Sequence, residues 1–371
     1  MQTDTPVEVR IHDLARGGAG VGRLSTGEII FVPFTAPGDL VRVRVVERKK
    51  SYVHGELIEV LEASPERVVA PCPAFGRCGG CSWQHIPYPL QFETKVKGLH
   101  SALARAGVQS PSVPLDLLPA GEPYHYRNRI QIRGNPSTRE AGFYRPGSHS
   151  LVPVSECAIA DPKINSALGK LLEEGFSRFT EPFKLEISKK PDGGIRADWN
   201  ERHAATGFQQ INDRQNRLLQ EWVKTHAGTG DLLLDLYGGN GNLSLPLIAD
   251  FKRIVCVDSS ATEEEAPAPH FSFVRKSIQA WSGTDDANEP AGPAVALLDP
   301  PREGIGELFP KLEARLSALG VSRVILVGCD VDAFARDTSR FISARYRLVR
   351  LGALDLFPQT PHLESLALFL K

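Results

Sequence analysis

Several features are scarce in this chain of 371 residues, and each shortage excludes a class of protein. No stretch approaches the roughly 18 consecutive apolar residues that a membrane-spanning helix needs. The amino-terminal residues show no basic region followed by an apolar one, as a secretory signal would. Cysteine occurs at six positions. The sequence therefore predicts a cytoplasmic protein with no membrane partner, in which close-set cysteines bind a metal or act in catalysis and do not form disulfides.

A basic surplus is lacking as well. The formal net charge of −1 argues against a large nucleic-acid partner, because phosphate binding usually leaves an excess of lysine and arginine. Charge is nevertheless uneven along the chain. Residues 41–50 hold five basic residues and one glutamate, and residues 121–150 hold five arginines and two glutamates. Solvated surface charge and an RNA-binding surface are both open interpretations of these β-like segments.

The length suits two or three domains, and the composition is that of an ordinary globular protein. Residues 1–62 alternate short β-rich stretches with glycine turns, which is typical of a small antiparallel barrel. Its predicted strands are Val7–Ile11, Glu28–Val32, Asp39–Val46 and Val53–Val60. The glycine-rich run 16–23 follows no Rossmann-type strand and opens no helix, so it predicts a hairpin and not a dinucleotide site.

Four cysteines have the character of a ligand set. Cys72, Cys78 and Cys81 are separated by five and then two residues, and Cys157 stands alone farther on. Such thiolates can converge on one centre, and the glycines between them let the backbone wrap around it. Spacing alone leaves zinc and an iron–sulfur cluster open.

The other two cysteines have different surroundings. Cys256 lies inside an apolar stretch, which predicts a small buried side chain. Cys329 follows the run Val-Ile-Leu-Val-Gly and precedes Asp330. It is therefore expected at the carboxyl end of a strand, where α/β enzymes place reactive groups.

The remaining chain predicts a mixed region and then a regular one. Apolar spacing indicates a helix over Pro89–Gly107, a strand with alternating basic residues at Tyr126–Arg133 and a helix over Asn165–Phe179. From Asp231 onward, short apolar runs alternate with helical or loop segments, which predicts a largely parallel, doubly wound, Rossmann-like methyltransferase sheet. Its predicted strands are Leu232–Leu236, Arg253–Val257, Ser272–Val274, Ala294–Leu298, Arg323–Val327 and Ser365–Leu370.

A glycine-rich turn follows the first of these strands directly. Gly239 and Gly241 in this turn allow a ligand to approach the backbone closely. Asp258 stands 23 residues after Asp235, at the end of the next strand, where it can hydrogen-bond a ribose. The glycine spacing is not Gly-x-Gly-x-x-Gly, and no P-loop lysine follows. The pattern therefore favours S-adenosylmethionine over NAD or ATP.

The run Asp299-Pro-Pro-Arg302 ends another strand. The two prolines fix the backbone and would hold Asp299 at the carboxyl edge of the sheet, beside the cofactor and a target base. A simple exit from strand to turn is the other interpretation of this run.

With these pieces and the segments Phe208–Asn212, Gly328–Asp330 and Asp355–Glu364, the chain resembles the RNA (uracil-5-)-methyltransferase family. The likeness is to its TRAM-containing iron–sulfur members, which methylate 23S ribosomal RNA. The resemblance implies an α/β protein of three domains. These are an OB-like TRAM β-barrel at 1–62, a central iron–sulfur α/β domain at 63–205, and a Rossmann-like methyltransferase domain at 206–371.

The resemblance also implies roles for single residues. Cys329 would be the nucleophile that adds to carbon 6 of uracil, Glu364 the base that removes the carbon-5 proton, and Asp299 a group near the cofactor and the flipped uracil. The implied contacts of S-adenosylmethionine are Gln210, Tyr237, Asn242 and Asp258, with Ser277 as a candidate. Cys72, Cys78, Cys81 and Cys157 would hold a 4Fe–4S cluster.

The chain departs from the family pattern around the nucleophile. Many members have serine before this cysteine and asparagine-proline after it, whereas this chain has Gly328 and Asp330-Val331. A monomer acting on 23S ribosomal RNA is expected. Transfer RNA as the substrate, a noncatalytic RNA-binding protein and a redox-sensing cluster protein are the alternatives.

Overall fold

The computed structural model describes residues 5–201, 209–260, 266–283 and 292–371. The segment Phe208–Asn212 quoted above therefore begins outside the described residues. The chain forms two compact units, each assembled from several stretches. The first comprises Met1–Gly98, Gly121–His203 and Phe357–Pro361, and the second comprises Leu99–Ala120, Ala204–Leu356 and His362–Lys371.

The amino-terminal strands of the first unit form a closed five-stranded barrel in the order β1-β2-β3-β5-β4. The strands are β1 (Val7–Leu14), β2 (Gly20–Arg23), β3 (Ile29–Val32), β4 (Leu40–Arg48) and β5 (Tyr52–Glu62). Alternate residues point inward, and valines and isoleucines fill the centre. The predicted barrel is confirmed, with one correction. β3 and β5 pair in parallel, because the chain crosses the barrel between them, whereas the other pairs are antiparallel.

A second sheet in the first unit has five antiparallel strands in the order β11-β10-β7-β8-β9. The strands are β7 (Arg129–Asn135), β8 (Glu140–Tyr144), β9 (Leu151–Pro153), β10 (Phe183–Lys189) and β11 (Ile195–Trp199). Helix α2 (Pro162–Arg178) packs on this sheet, and its Ile164 and Leu168 are fully buried. The strand predicted from Tyr126 begins only at Arg129, since Arg127 forms an isolated bridge to Ala160.

The second unit is built on an eight-stranded sheet in the order β14-β13-β12-β15-β16-β18-β17-β6. Its strands are β6 (Leu115–Leu118), β12 (Gly230–Leu236), β13 (Phe251–Val257), β14 (Phe271–Val274), β15 (Ala294–Leu298), β16 (Val321–Gly328), β17 (Arg347–Leu354) and β18 (Glu364–Leu370). The five strands from β14 to β16 are parallel, as predicted. β18 is antiparallel to both β16 and β17.

Helices connect the strands of this sheet. They are α3 (Asp213–Ala227), α4 (Ile278–Trp281), α5 (Phe309–Ala318) and α6 (Val331–Ser343). Helix α1 (Tyr88–Arg105), close to the predicted Pro89–Gly107, precedes β6 in the chain. In the part of the chain that the structure describes, no helix combines the length and apolar character that a bilayer crossing would need.

Candidate active site and cysteine cavity

Three parallel strands of the large sheet are each followed directly by a residue that the sequence analysis singled out. Tyr237 follows β12, Asp299 follows β15, and Cys329 follows β16. Leu236 is paired with Leu298, and the Asp299 amide donates to the Leu236 carbonyl at 3.3 Å. The carboxyl ends of these strands therefore meet at one edge of the sheet, where α/β folds place their ligands.

Cys329 and Glu364 are brought together by strand pairing. Gly328 is paired with Ser365 in the antiparallel ladder between β16 and β18. The next residue beyond this pair on one strand is Cys329, and on the other it is Glu364. These two residues are 35 positions apart in the chain, and the register alone sets them side by side.

The charges around Cys329 act strongly on its thiol. Burial is the main cause that raises the pKa of Cys329 to about 11; the nearby carboxylates of Glu364 and Asp299 also raise it, and Arg302 lowers it. In the protein alone the thiol is therefore protonated near neutral pH. Arg302 is the one group among these that favours the thiolate.

The two carboxyl groups are themselves held toward their neutral forms. Burial raises the pKa of Glu364 well above its usual value, and the charge of Asp299 adds to this, whereas Arg302 opposes it. Burial raises the pKa of Asp299 as well, with a contribution from Asp235. Glu364 is 5% exposed, and its Oε2 has no hydrogen-bond partner among the described residues. A buried carboxyl oxygen of this kind is suited to accept or donate a proton on a bound substrate.

The departures from the family pattern have local reasons. A Cβ added at Gly328 would lie 3.0 Å from the Phe334 side chain, so a serine there would crowd the core. Asp330 begins α6 as its N-cap, where its carboxylate accepts from the amides of Asp332 and Ala333 at 3.0 and 2.9 Å. An aspartate therefore satisfies the first amides of the helix that follows Cys329.

A buried aspartate on α6 holds the loop that follows β15. Asp337 accepts from the Ile305 amide at 2.7 Å and pairs with Arg340 at 3.0 Å. Arg340 also donates to the Gly306 carbonyl at 2.7 Å. A Cβ at Gly304 would lie 2.5 Å from the Asp337 carboxylate, so the close approach requires glycine. The loop after β15 is thus tied to the helix after β16.

The glycine turn after β12 is shaped by backbone conformation and by one acid. Tyr237 has a φ of 62°, a left-handed value that is uncommon outside glycine and is often found at functional sites. Gly239 has a φ of 56° and donates its amide to Asp258 Oδ2 at 3.1 Å. Asp258 Oδ1 accepts from the amide and hydroxyl of Ser260. The predicted cofactor acid and the predicted cofactor loop are therefore in contact.

Asp235 lies beneath this turn and is fully buried. Its Oδ2 accepts from the Ser244 hydroxyl at 2.5 Å and from the Cys256 thiol at 3.7 Å, and its Oδ1 has no partner among the described residues. Burial raises the pKa of Asp235 to about 6. A Cβ at Gly238 would lie 2.5 Å from the Cys256 sulfur, so only glycine lets the turn approach these groups. Cys256 is fully buried, as predicted.

The other predicted cofactor residues have distinct surroundings. The side chain of Asn242 exchanges two hydrogen bonds of 2.9 Å with Asn216 of α3. Gln210 lies three residues before the first residue of α3. Ser277 is the N-cap of α4 and accepts from the Ala280 amide at 3.2 Å. Gly241 has a φ of 77° and lies in the same turn as Gly239. The roles of these residues toward a cofactor stay predictions.

The four predicted ligand cysteines line one cavity in the first unit. Its volume is about 140 Å³, and Cys72, Cys78, Cys81 and Cys157 all contribute to its wall, together with Arg127. Burial, with smaller contributions from the other three cysteines, raises the pKa of Cys81 to about 12. Burial likewise raises the pKa of Cys78 and Cys157, whereas Arg127 lowers both. Among the described residues, no group of three or more potential ligands is arranged to hold a metal ion.

Neighbouring hydrogen bonds fix the parts of the chain that hold these cysteines. Asn165 of α2 accepts from the Cys157 amide at 2.9 Å and donates to the Cys157 carbonyl at 3.0 Å. The Gly79 amide, between the second and third cysteines, donates to the Tyr144 carbonyl at 3.1 Å. Helix α2 therefore holds the lone fourth cysteine, and strand β8 of the second sheet holds the cysteine loop.

The segment before Glu364 is anchored in the first unit. Gln359, with a φ of 69°, is buried and exchanges hydrogen bonds of 2.9 and 3.0 Å with Gln91. Its carbonyl accepts from the amides of Ser82 and Trp83 at 3.0 and 3.1 Å. The residues that directly follow Cys81 therefore bond to a residue five positions before Glu364.

Several residues of the two basic runs pair with glutamates of neighbouring strands. On the barrel, Arg42 pairs with Glu59 at 2.6 Å, and Arg48 pairs with Glu28 at 2.6 Å. In the second sheet, Arg129 is buried with Glu186, 3.7 Å away. Cross-strand partners thus neutralise much of the charge that the sequence places in these runs.

The chain is similar to known proteins over nearly its whole length. Residues 5–58 match the model of the TRAM domain. An uncharacterized RNA methyltransferase of Streptomyces avermitilis is 30% identical over 97% of this chain and 97% of its own length. The 23S rRNA (uracil(1939)-C(5))-methyltransferase RlmD of Shewanella amazonensis is 28% identical over 98% of this chain and 95% of its own length.

The chain belongs to the RNA (uracil-5-)-methyltransferase family. Among solved structures, it is similar to the tRNA (uracil-54, C5)-methyltransferase of Pyrococcus abyssi in complex with S-adenosyl-L-homocysteine. The TM-score is 0.71, with 22% identity over 98% of this chain and 99% of the other. At this identity the likeness establishes the fold. The barrel of this RNA methyltransferase is its TRAM domain.

The candidate site of this RNA methyltransferase gathers residues that the sequence singled out and residues that it did not. Cys329, Glu364 and Asp299 are close enough to interact electrostatically. Arg302 was quoted as part of a run but given no role, and Asp337 was not noticed. Nothing in the helical pattern around Asp337 distinguishes it from a surface acid, because its partner amide belongs to a distant loop.

Proposed function

We propose that this enzyme methylates carbon 5 of a specific uridine in 23S ribosomal RNA, with S-adenosylmethionine as methyl donor and Cys329 as a covalent nucleophile. The observation that carries the proposal is the pairing of Gly328 with Ser365, which sets Cys329 beside the buried Glu364. Asp299 and Arg302 act on the charge of both residues.

The first chemical step explains why a thiol is needed. Carbon 5 of uracil is a poor nucleophile, so attack on a sulfonium methyl requires added electron density there. The Cys329 thiolate forms a bond to carbon 6, and the electron pair of the ring double bond moves toward carbon 5 and the carbonyl as an enolate. Arg302 favours the thiolate and stabilises the negative charge that develops nearby.

The second stage releases the product. Carbon 5 takes the methyl group, and S-adenosylhomocysteine leaves. Carbon 5 then holds both the new methyl group and its original proton. Glu364, as a carboxylate, removes that proton; the electron pair re-forms the ring double bond and expels the Cys329 thiolate from carbon 6. The raised pKa of Glu364 makes its carboxylate a stronger base than an exposed glutamate.

The methyl donor is assigned to the turn after β12. Asp258 accepts from Gly239 through one oxygen and retains acceptor capacity for ribose hydroxyls. Tyr237, Gly241, Asn242 and Gln210 complete the proposed binding set. Asp299, at the end of the neighbouring strand, lies between this turn and Cys329 in the order of the sheet, in accordance with a role beside both donor and uracil.

A 4Fe–4S cluster is proposed at Cys72, Cys78, Cys81 and Cys157. The chemistry of the donors suits such a cluster, because four thiols line one cavity. The raised pKa values of Cys78, Cys81 and Cys157 mean that cationic charge would be needed to hold these three as thiolates. With four protein ligands such a cluster has no open iron and would act as a structural centre. Iron and acid-labile sulfide measured after anaerobic purification test this. Cys157→Ala should lose both, whereas Cys256→Ala should retain them; stoichiometric zinc without sulfide would refute the assignment.

The RNA is chosen by likeness to relatives. RlmD of Shewanella amazonensis is named for uracil 1939 of 23S rRNA, and the Pyrococcus abyssi enzyme is named for uracil 54 of tRNA. The greater identity to RlmD favours ribosomal RNA. Mass mapping of RNA from a strain lacking the gene should reveal one missing 5-methyluridine in 23S rRNA. Its absence from transfer RNA instead would support the alternative substrate.

The reaction itself is tested with purified enzyme, RNA and a labelled methyl donor. Wild type should transfer the label to carbon 5 of uridine, and Cys329→Ala should not. RNA with 5-fluorouridine should form a stable adduct, because fluorine cannot leave as a proton, and peptide mapping should find it on Cys329. RNA binding without methyl transfer by the wild type would favour a noncatalytic RNA-binding protein.

A further inference from the structure

A polar cavity in the first unit lies where β7 ends and β10 begins. Its volume is about 390 Å³, within the usual range of ligand sites, and among the described residues it shares no lining residue with the cysteine cavity. None of the residues assigned to the proposed reaction lines it. Its charged and amide-bearing lining residues are Arg133, Lys184, Asn135, Asn200, His149 and Glu140. This cavity is here called the sheet pocket.

Two cations are directly opposite each other at the sheet pocket. Arg133 of β7 is paired with Lys184 of β10 in the antiparallel ladder. The adjacent residues of the same strands, Ile132 and Leu185, belong to the core that packs against α2, so alternation places both cations on the other face of the sheet. Like charges in such a cross-strand pair repel each other and cost stability.

Other cations on this face of the sheet have acidic partners. Arg129 lies 3.7 Å from Glu186, and Arg196 lies 2.8 Å from Asp198. The two cations of the sheet pocket form no ion pair with a carboxylate in the part of the chain that the structure describes. A bound anion would therefore supply the charge that this cross-strand pair lacks.

Uncharged groups orient both cations. The Arg133 guanidinium lies over the Tyr144 ring, 5.8 Å from its centroid, and this ring meets the His149 ring edge to face at 5.3 Å. The Lys184 ammonium donates to the Glu201 carbonyl. Neither a phenol ring nor a carbonyl carries a net charge, so these contacts order the two side chains and leave their positive charge in place.

The amide side chains add donors to the sheet pocket. The Asn135 oxygen accepts from the Ser137 amide at 3.1 Å, and the Asn200 oxygen accepts from the Lys184 amide at 2.8 Å. Since each oxygen is engaged, the NH2 groups of both asparagines are left as donors. Glu140 is the one carboxylate among the described lining residues. Donors and positive charge therefore predominate, which suits an anionic ligand.

We propose that the sheet pocket binds a phosphomonoester, such as a free nucleotide, with its phosphate between Arg133 and Lys184. A phosphomonoester carries nearly two negative charges above pH 7 and offers three terminal oxygens as acceptors. It matches two adjacent cations better than a phosphodiester, which carries one charge. Arginine and lysine are the usual protein ligands of phosphate. The inference is independent of the proposed function, because it uses none of the residues assigned to methyl transfer.

The test is calorimetric titration of the full-length enzyme with cytidine 5′-monophosphate at pH 8 and fixed salt. This base is neither the proposed target nor that of the methyl donor. Arg133→Gln and Lys184→Gln each remove one cation and should weaken binding about tenfold. Glu140→Gln removes the opposing charge and should strengthen binding. Lys170→Gln, at an exposed position of α2, is the charge-matched control and should bind like wild type.

Three further probes identify the chemistry that is bound. Inorganic phosphate should compete with cytidine 5′-monophosphate, whereas cytidine, which has no phosphate, should not. The dinucleotide CpC holds only a phosphodiester and should bind more weakly than the monophosphate. Thermal unfolding adds a readout of folding, because the monophosphate should raise Tm of the wild type more than Tm of Arg133→Gln or Lys184→Gln.

Several outcomes would overturn the inference. These are no binding of the monophosphate by the wild type, wild-type affinity in both Arg133→Gln and Lys184→Gln, and an equal loss in Lys170→Gln. Tighter binding of CpC than of the monophosphate would also overturn it and would favour an RNA strand as the occupant. Cys329→Ala should bind the monophosphate like wild type, so failure of the proposed methyl transfer and failure of this inference are separate results.

Discussion

Cys329 and Glu364 are the first residues beyond the last pair of the ladder between β16 and β18, in which Gly328 pairs with Ser365. The register of this strand pair therefore places the proposed nucleophile next to the proposed base. A shift of one residue in β18 would move Glu364 to the other face of the sheet. The antiparallel insertion of β18 between β16 and β17 therefore assembles the site as well as completing the sheet.

The reactivity of the Cys329 thiol should depend on pH, and the neighbouring charged groups should set the pH at which it rises. Its pKa of about 11 means that alkylation by iodoacetamide should be slow at pH 7 and should accelerate steadily above pH 8. Arg302→Gln removes a group that lowers this pKa, so the profile should move to higher pH. Glu364→Gln removes one that raises it, so the profile should move to lower pH. Mass spectrometry of the Cys329 peptide checks both shifts; identical profiles would contradict the electrostatic picture.

The buried carboxyl groups should make the protein less stable as pH rises. The folded-state pKa of Glu364 lies above its usual 4.5, so between these values the folded state holds a proton that the unfolded state releases. Stability is thus greatest at the acidic end of this window and falls as pH rises through it. Glu364→Gln should raise Tm by about 2–4 °C at pH 8, roughly 1 kcal/mol for a unit of this size, and by less at pH 5.

Thermal scans of wild type and Glu364→Gln at several pH values measure this effect. Glu303→Gln, at an exposed position, is the control and should show no such pH-dependent gain. A variant that is less stable than wild type at pH 8 would mean that the Glu364 charge is compensated in the folded protein.

Asp337 should act as a positioning residue. Asp337→Ala leaves the Ile305 amide without its acceptor and frees the loop that follows Asp299. We expect a lower kcat and a Cys329 alkylation profile displaced to higher pH, since Arg302 would no longer be held near the thiol. Asp337→Asn retains an acceptor and should recover much of the activity. A normal alkylation profile in Asp337→Ala would assign the residue a purely structural role.

The buried amide pair should contribute strongly to the stability of the first unit. Gln91→Leu removes both bonds to Gln359, so the buried amide and side-chain Oε1 of Gln359 lose these partners. The expected loss is about 1–3 kcal/mol, the usual cost of an unsatisfied buried group. Urea unfolding measures it, with the exposed Gln279→Leu as control. Equal midpoints for the two variants would show that the pair is dispensable.

The regular parts of the fold were predictable because hydrophobic periodicity is local. The strands from Leu232 to Val327 were predicted nearly to their ends, since buried parallel strands read as continuous apolar runs. β6 and β17 were missed. Leu115–Leu118 is too short to stand out, and its partner at Leu351–Leu354 is more than 200 residues away. No local pattern contains such a pairing.

The candidate site was predictable where chemistry is tied to residue type. Cysteine and glutamate in matching segments identified Cys329 and Glu364, whereas Asp337 acts through a distant amide and left no local signal. The local pattern could not decide between the two interpretations of the basic runs for the same reason, because Glu59 and Glu186 pair with arginines of other strands. The sequence shows where charged residues lie along the chain. Which of these charges are neutralised depends on pairing between strands, which the sequence does not show.

The most direct test of the covalent mechanism is the fate of Glu364→Gln on unmodified RNA. The variant retains Cys329, so it should still attack carbon 6 and accept the methyl group, yet it cannot remove the carbon-5 proton. A labelled methyl donor and a denaturing gel should therefore reveal a protein–RNA complex that contains the label, mapped to Cys329. Normal turnover with no trapped complex would contradict the role of Glu364, and a complex mapped to another residue would contradict that of Cys329.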